Sequence, residues 1–389
     1  MRINELAHQH ATELDALIDG VILLDSVGYG IDSSKEASAV FYYPIAIGNP
    51  FQSLYYSEFL SNGIIPIGTN NISNLTSIRW PKKLYLHLHW LGNIIGDTER
   101  PEIADKKIDS FISEIDSMKK NGFKIIWTVH NILPHDSILQ DKQIRLRVEL
   151  IKRCDIIHVM CNDTQMLADA FYSIPKEKIV YVPHPTYQNV YPSQSSKLES
   201  RFQLNIDQDE FVFLFFGSIQ AYKGLHDLVR AFNKLETITT KKIKLIIAGK
   251  VHNQSNFKTI RDEITASKNI ILFQNRIENE DVQHFFKAAN VCICPYRITL
   301  NSGVAHLSHT FLTPVIGPDI GGFKELLDKG GGDVYQQLNH EDLLDKMKLI
   351  MERDFDEIEE EISTVNDCYK PSEISKQFAI SIKTFEERV

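Results

Sequence analysis

Lys223 stands alone where an apolar run gives way to an amphipathic one, in "FVFLFFGSIQAYKGLHDLVRAF" (211–232), between Gly217 and Gly224. Taken by itself, the stretch is either a βα turn with a solvated lysine or an anion site. The second option exists because a helix N-terminus offers unpaired N–H groups and positive partial charge. Leu225, Leu228, Val229, Phe232 and Leu235 share one helical face, which puts the helix start close to Gly224 and Lys223 in the loop before it. Two more glycine turns precede helices in "CPYRITLNSGVAHLSHTFLTPVIGPDIGGFKEL" (294–326): Ser302-Gly303 and Gly321-Gly322. Glycine at such a place lets a ligand approach the backbone amides. Two such turns and a lysine on one sheet edge describe a cradle for a diphosphate. In the amino half, His130 follows the run "KIIWTV" and is either a satisfied core histidine or a site group at a strand's carboxyl end. His87 and His89 share one strand face and could simply pack; His89 lies nearer the carboxyl end.

The elements that must position these residues alternate from about residue 38. Strands are expected at 39–47, 63–68, 84–90, 124–130, 156–161 and 178–183, with helices near 51–61, 104–120, 139–152 and 163–173. Several strands are continuously apolar, as when helices cover both faces of a parallel sheet. Residues 1–20 are expected as a leading helix and 21–37 as an appended strand or loop. The prolines and serines of "PHPTYQNVYPSQSSKLESRF" (183–202) mark a linker, with His184 in it. Strands then resume at 211–217, 242–249, 269–275, 291–296, 314–318 and 332–336. Helices are expected at 224–236, 255–266, 279–288, 303–311 and 322–328, followed by an acidic, solvated helix at 354–362 and a last one at 371–388. Two βα series imply an α/β protein of two doubly wound, Rossmann-like domains facing across a cleft. The expected boundaries are a first domain over 1–190, a second over 191–370, and a C-terminal helix over 371–389 that could pack back on the first domain.

Composition removes several function classes. The chain has 389 residues and a formal net charge of -9. Residues 1–190 carry 18 Lys+Arg against 22 Asp+Glu, and the remainder 24 against 29, so neither half is basic enough for nucleic acid as the main partner. No apolar stretch nears the roughly 18 residues of a membrane span, and the charged amino terminus does not read as a secretory signal. Five cysteines suit a reducing compartment, and Cys292 and Cys294 read as core residues. Neither a dinucleotide glycine fingerprint nor a P-loop occurs.

The order "FFGSIQAYKGLHDLVRAF", "IKLIIAG", "NIILFQN" and "VCICPY…SGV…TPVIGPDIGGFKEL" resembles the carboxyl half of GT-B nucleotide-sugar glycosyltransferases, family 4 and its neighbours above all. In the amino half "GNPFQSLYY" (48–56), "HLHWLG" (87–92) and "TVHNILPH" (128–135) are similar to that group's acceptor-side loops, which implies Gly48, Asn49 and His89 there. The resemblance covers roughly residues 38 to 389. It implies that Gly217 and Ser218 lie at the donor phosphates, that Lys223 neutralises the diphosphate, and that Ser302-Gly303 donates amides to it. It also implies that His130 contacts the donor sugar. Ser218 stands where the family has an arginine, and Arg297 could replace that cation. Thr299 and Leu307 align with the family's two glutamates, and neither can do a carboxylate's work. Glu325 is then a ribose ligand or a helix N-terminal carboxylate.

The resemblance implies transfer of a sugar from a nucleotide diphosphate sugar to a saccharide or polyprenyl-linked saccharide acceptor, in bacterial surface polysaccharide synthesis. Catalysis would fall to His130, or to Asp136 in "PHD", as base on an inverting path, and to the leaving phosphate on a retaining one. No cofactor and no metal are expected, since no Asp-x-Asp pair stands at a strand end. The competing readings are a nucleotide-sugar epimerase on the same fold and a non-catalytic sugar-nucleotide-binding subunit. The expected location is cytoplasmic, with at most peripheral contact at the inner face of a membrane.

Overall fold

The computed structural model describes residues 38–78, 82–134, 137–252 and 254–386. The expectations for residues 1–37 and for Asp136 therefore lie outside the described residues. The chain forms two compact units, one of Met1–Pro183 with Pro371–Val389 and the other of His184–Lys370.

In the first unit, six strands follow in chain order: β1 (Ser38–Tyr43), β2 (Ile64–Gly68), β3 (Leu84–Leu88), β4 (Phe123–Thr128), β5 (Ile156–Val159) and β6 (Ile179–Tyr181). All neighbouring pairs are parallel, in the order β2-β1-β3-β4-β5-β6. Helices α1 (Phe51–Tyr55), α2 (Gly92–Ile95), α3 (Pro101–Lys120), α4 (Gln140–Arg153) and α5 (Thr164–Ala168) connect them. The chain runs from β1 to β2 on one side, then places β3 on β1's other side. The sheet's switch point therefore lies between β1 and β3, where open α/β sheets bind ligands beyond the strand ends.

The second unit begins with α6 (Lys197–Gln203), inside the segment expected to be a linker. Ser196 and Glu199 close a capping box at its start. Then come β7 (Phe211–Phe216), α7 (Leu225–Ile238), β8 (Ile243–Ala248), α8 (Gln254–Ala266), β9 (Ile270–Phe273), α9 (Val282–Ala288) and β10 (Val291–Ile293). The unit continues through α10 (Gly303–Thr310), β11 (Val315–Pro318), α11 (Gly321–Leu327), β12 (Gly332–Tyr335), α12 (His340–Ile350) and α13 (Phe355–Cys368). The parallel order β12-β11-β10-β7-β8-β9 puts the switch point between β7 and β10. Helix α13 is not simply a solvated acidic face: Ile358, Ile362 and Val365 turn into the core.

Each unit has its own core. Phe213, Phe215, Leu228, Phe232 and Ile247 centre the second, and Tyr55, Phe59, Tyr85 and Ile126 the first. The last helix, α14 (Pro371–Glu386), gives Ile374, Phe378, Ala379 and Ile382 to the first unit's core, and Ser375 Oγ accepts from the Glu58 amide at 2.8 Å. Among the described residues no helix is long and apolar enough to cross a membrane.

Candidate functional site

At the second unit's switch point, Gly217 leaves β7 with φ 100°, and its amide donates to Ala248 O at 2.9 Å. The chain then makes a short turn, Ala221–Lys223, and Gly224 closes it at φ 66°. A Cβ at Gly224 would lie 1.9 Å from Pro295 O, so only glycine lets this turn press against the end of β10. Arg297 fastens the same turn, its amide donating to Tyr222 O at 2.7 Å.

Lys223 is not solvated. It is 7% exposed, and its Nζ lies 5.1 Å from the centre of the Tyr296 ring. It forms no ion pair with a carboxylate among the described residues, and burial lowers its pKa to about 8. A Cβ built on Gly217 would meet Lys223 Nζ at 3.0 Å and Val304 Cγ2 at 3.5 Å. The glycine, the ammonium and the first turn of α10 are therefore brought together. Ser302 caps α10, its Oγ accepting from the Ala305 amide at 3.3 Å. At Gly303 a side chain would collide with Tyr187 Oη, 2.6 Å from its Cβ position, and the buried rings of His184 and His306 stack with centroids 4.7 Å apart.

Other expected donor residues are otherwise engaged. Arg297 holds Asp227 through Nε and Nη2, both at 2.7 Å, so its charge is already matched by a buried carboxylate. Ser218 Oγ accepts from Gln220 Nε2 at 3.1 Å. The Gly322 amide donates to Leu300 O at 2.8 Å, so this turn is closed on itself. Glu325 lies in the second turn of α11, whose first turn holds no acidic residue, so it is not an N-terminal carboxylate. Thr299 and Leu307 are both buried, Thr299 donating to Asn301 O at 3.1 Å.

The first unit's switch point is built differently. Gly48 (φ 77°) and Asn49 are exposed in the loop after β1, where Asn49 Oδ1 accepts from the Phe51 amide at 3.1 Å. Gln52 ties down the same loop by bonds to the Ala46 amide and Pro44 O, each 2.8 Å. The Phe51 ring then stands edge-on to His130, centroids 5.0 Å apart, and Trp90 stacks on His130 at 4.2 Å. This brings the loop of Gly48 and Asn49 to the edge that holds His89 and His130.

His130 is not isolated. Its Nε2 lies 3.0 Å from His89 Nδ1, and His89 Nε2 lies 2.8 Å from Tyr56 Oη. From Tyr56 the contacts continue to His87 Nδ1 (2.6 Å), from His87 Nε2 to Thr128 Oγ1 (2.6 Å), and on to His158 Nδ1 (2.8 Å). His158 Nε2 finally meets Val182 O at 2.9 Å. Burial holds His87 and His89 well below the ordinary histidine pKa and lowers His158 to about 4, so these three rings are neutral at pH 7. His87 and His89 do pack, but as members of a polar network. His158, Thr128 and Tyr56 escape a reading of the sequence: Thr128 meets His158 through the register of β4 on β5, and Tyr56 reaches the two rings from the end of α1.

A second omission is Arg147 on α4. It is 3% exposed and donates through Nη1 to Gln143 O (3.0 Å) and Oε1 (2.9 Å), while its Nε has no partner among the described residues. It lines a cavity of about 130 Å³ with His89, Trp90, Trp127 and His130. An arginine on the apolar face of Leu146, Leu150 and Ile151 was the available signal.

Comparison with known proteins now bears on this arrangement. Residues 196–364 match the family described as glycosyl transferases group 1. An uncharacterized glycosyltransferase, MJ1607 of Methanocaldococcus jannaschii, is 22% identical over 177 residues, which are 45% of this chain and 44% of that one. The chain thus spans under half the length of that relative. Among solved structures, Anabaena HepE in complex with UDP and glucose superposes with a TM-score of 0.63 at 14% identity, over 90% of this chain and all of that one. Sucrose-phosphate synthase of Thermosynechococcus elongatus gives 0.67 at 12% identity, over 91% and 100%. At these identities the likeness is one of fold. Residues 196–364 are thus similar to the glycosyl transferases group 1 family, and the pair of parallel six-stranded sheets that carries them has the fold of the GT-B glycosyltransferases.

Proposed function

We propose that the protein transfers a sugar from a nucleotide diphosphate sugar to a saccharide or lipid-linked saccharide acceptor. The carrying observation is Lys223, a buried ammonium with no carboxylate partner among the described residues, at the second unit's switch point beside Gly217 and the start of α10. Desolvating a charge is unfavourable unless something opposite meets it. A diphosphate does so, and it gains charge as the sugar–phosphate bond breaks through an oxocarbenium-like transition state. Lys223 and the α10 amides then stabilise the leaving group more than the ground state. Arg297 acts by bracing the Lys223 turn, and the chemistry proceeds without a metal ion.

His130 and its neighbours are assigned to the sugar and acceptor hydroxyls. A binding-only reading has one observation in its favour, the absence of carboxylates at Thr299 and Leu307. Synthesis of a surface glycan is the setting that the resemblance supports. UDP, which HepE holds in its solved complex, is the first probe to try. A nucleotide at 100 times its dissociation constant should add about 2.7 kcal/mol to unfolding stability. A panel of nucleoside diphosphates that leaves melting unchanged would sink the donor reading. Stabilisation by a nucleotide sugar without product in the presence of candidate acceptors would favour the binding-only one.

A further inference from the structure

We propose that His130, His89, Tyr56, His87, Thr128 and His158 form one polarised hydrogen-bond chain, ending on Val182 O, that fixes His130 as its Nε2–H tautomer with Nδ1 as the basic atom. The functional weight of this rests on the reading of His130 as a site residue. The polarity does not.

The direction follows from the far end. A carbonyl oxygen can only accept. Val182 O lies 2.9 Å from His158 Nε2 and 3.0 Å from the Tyr55 hydroxyl. His158 Nε2 must carry the proton, or two lone pairs would face each other at that distance. The ring is neutral, so its Nδ1 accepts, and Thr128 donates to it. The Thr128 oxygen then accepts from His87 Nε2–H, leaving His87 Nδ1 to accept from the Tyr56 hydroxyl. The Tyr56 oxygen accepts from His89 Nε2–H, and His89 Nδ1 accepts from His130 Nε2–H. Every hydroxyl donates once and accepts once, and no link has a second choice after the first is set. The reverse order would need Tyr55 to donate to His158 Nε2, 2.7 Å away. That would leave Val182 O against a bare nitrogen and without a side-chain donor among the described residues.

Burial makes the chain an orienting device and not a conduit. The Phe378 ring lies 4.5 Å from His158 and 5.3 Å from His87, measured between centroids, and both histidines are fully buried. Passing a proton inward from His130 would leave an imidazolium at His158, and the terminal carbonyl cannot take that proton away. A proton accepted by His130 Nδ1 therefore stays on His130, whose Nε2–H points at a good acceptor. His89, Tyr56, His87, Thr128 and His158 are positioning residues for that ring.

Long-range proton–nitrogen correlation spectra of the full chain, labelled with nitrogen-15 histidine, read each tautomer directly. The four rings of His130, His89, His87 and His158 should all be Nε2–H. Tyr56→Phe removes the middle hydroxyl and should turn the His130 signal into a mixture of two tautomers, whereas Thr128→Ser, which keeps its hydroxyl, should preserve the wild-type pattern. Nδ1–H at any of the four rings in the unmodified protein overturns the polarity, as does a His130 signal indifferent to Tyr56→Phe. The unmodified protein alone decides the direction, so a poorly folding variant does not remove the test. Normal turnover by His130→Ala with all the other tautomers intact would instead count against the functional reading.

Discussion

The two switch points solve opposite problems. In the second unit a buried cation has no counter-charge among the described residues, so the selectivity proposed for it is one of sign. In the first unit four histidines and two hydroxyls are linked into a network that is neutral along its buried length, so its selectivity is one of direction: which atom donates and which accepts. A diphosphate is recognised by charge, whereas sugar hydroxyls are told apart by hydrogen-bond polarity.

The sharpest way to break this contrast is at the direction-setting edge. His130→Ala should lower turnover by about 100-fold or more, the scale of a lost acid–base group. Its melting temperature and nucleotide affinity should stay near wild type. If the variant instead melts early and its folded fraction turns over normally, His130 is a packing residue and the first unit's half of the assignment is wrong.

Next in size is the cation. Lys223→Met should weaken nucleoside diphosphate binding by roughly tenfold or more, as expected for a lost charge-assisted contact. The same change should raise the stability of the ligand-free protein at pH 7. The gap between an ordinary lysine at 10.5 and about 8 here is worth on the order of 3 kcal/mol. A variant that binds as well as wild type, or one that is less stable, returns Lys223 to a structural role.

The pH dependence sharpens the same point with a smaller effect. Lys223 loses its proton near pH 8 when folded and near 10.5 when unfolded, so the unfolded state binds more protons between those values. Ligand-free stability should therefore carry a rising contribution across that window, absent in Lys223→Met. Affinity for UDP should fall above about pH 8 as the ammonium is lost. Titration by calorimetry checks both, and a flat affinity from pH 7 to 9 would contradict the assignment.

The smallest expected effect is none at all. Excess chelator should leave turnover within error, because the diphosphate is assigned to Lys223 and the α10 amides. Loss of activity that Mg²⁺ restores would mean that a carboxylate set has been overlooked.

How much of this was legible depended on whether the signal was local. All twelve described strands were, most of them because a strand buried on both faces is an apolar run bounded by polar turns. Strand ends were overextended where apolar residues continue past the sheet: β10 stops at Ile293, not Tyr296, because the chain turns through Pro295. Three described helices were missed: the single turn α2, and two whose signals were present. The capping pair of Ser196 and Glu199 opens α6, and Asn339 caps α12, whose Leu343, Leu344, Met347 and Ile350 are buried. The Lys223 turn was legible because its glycines and lysine are contiguous. The histidine chain was not. It depends on register, which sets Thr128 beside His158, and parallel pairing leaves no mark in either strand alone. The ion pair of Arg297 was equally hidden, because its partner Asp227 is seventy positions away.

The placement of α14 has a consequence for biosynthesis. All of His184–Lys370 leaves the ribosome before Phe378 does, yet Phe378 closes over His158 and His87 in the unit translated first. The earlier-made unit is thus completed last, by residues that emerge after the entire second unit. Until then Tyr55 and Phe59 lack the ring that covers them, and the nascent chain carries an open apolar seam for the whole time the second unit is synthesised.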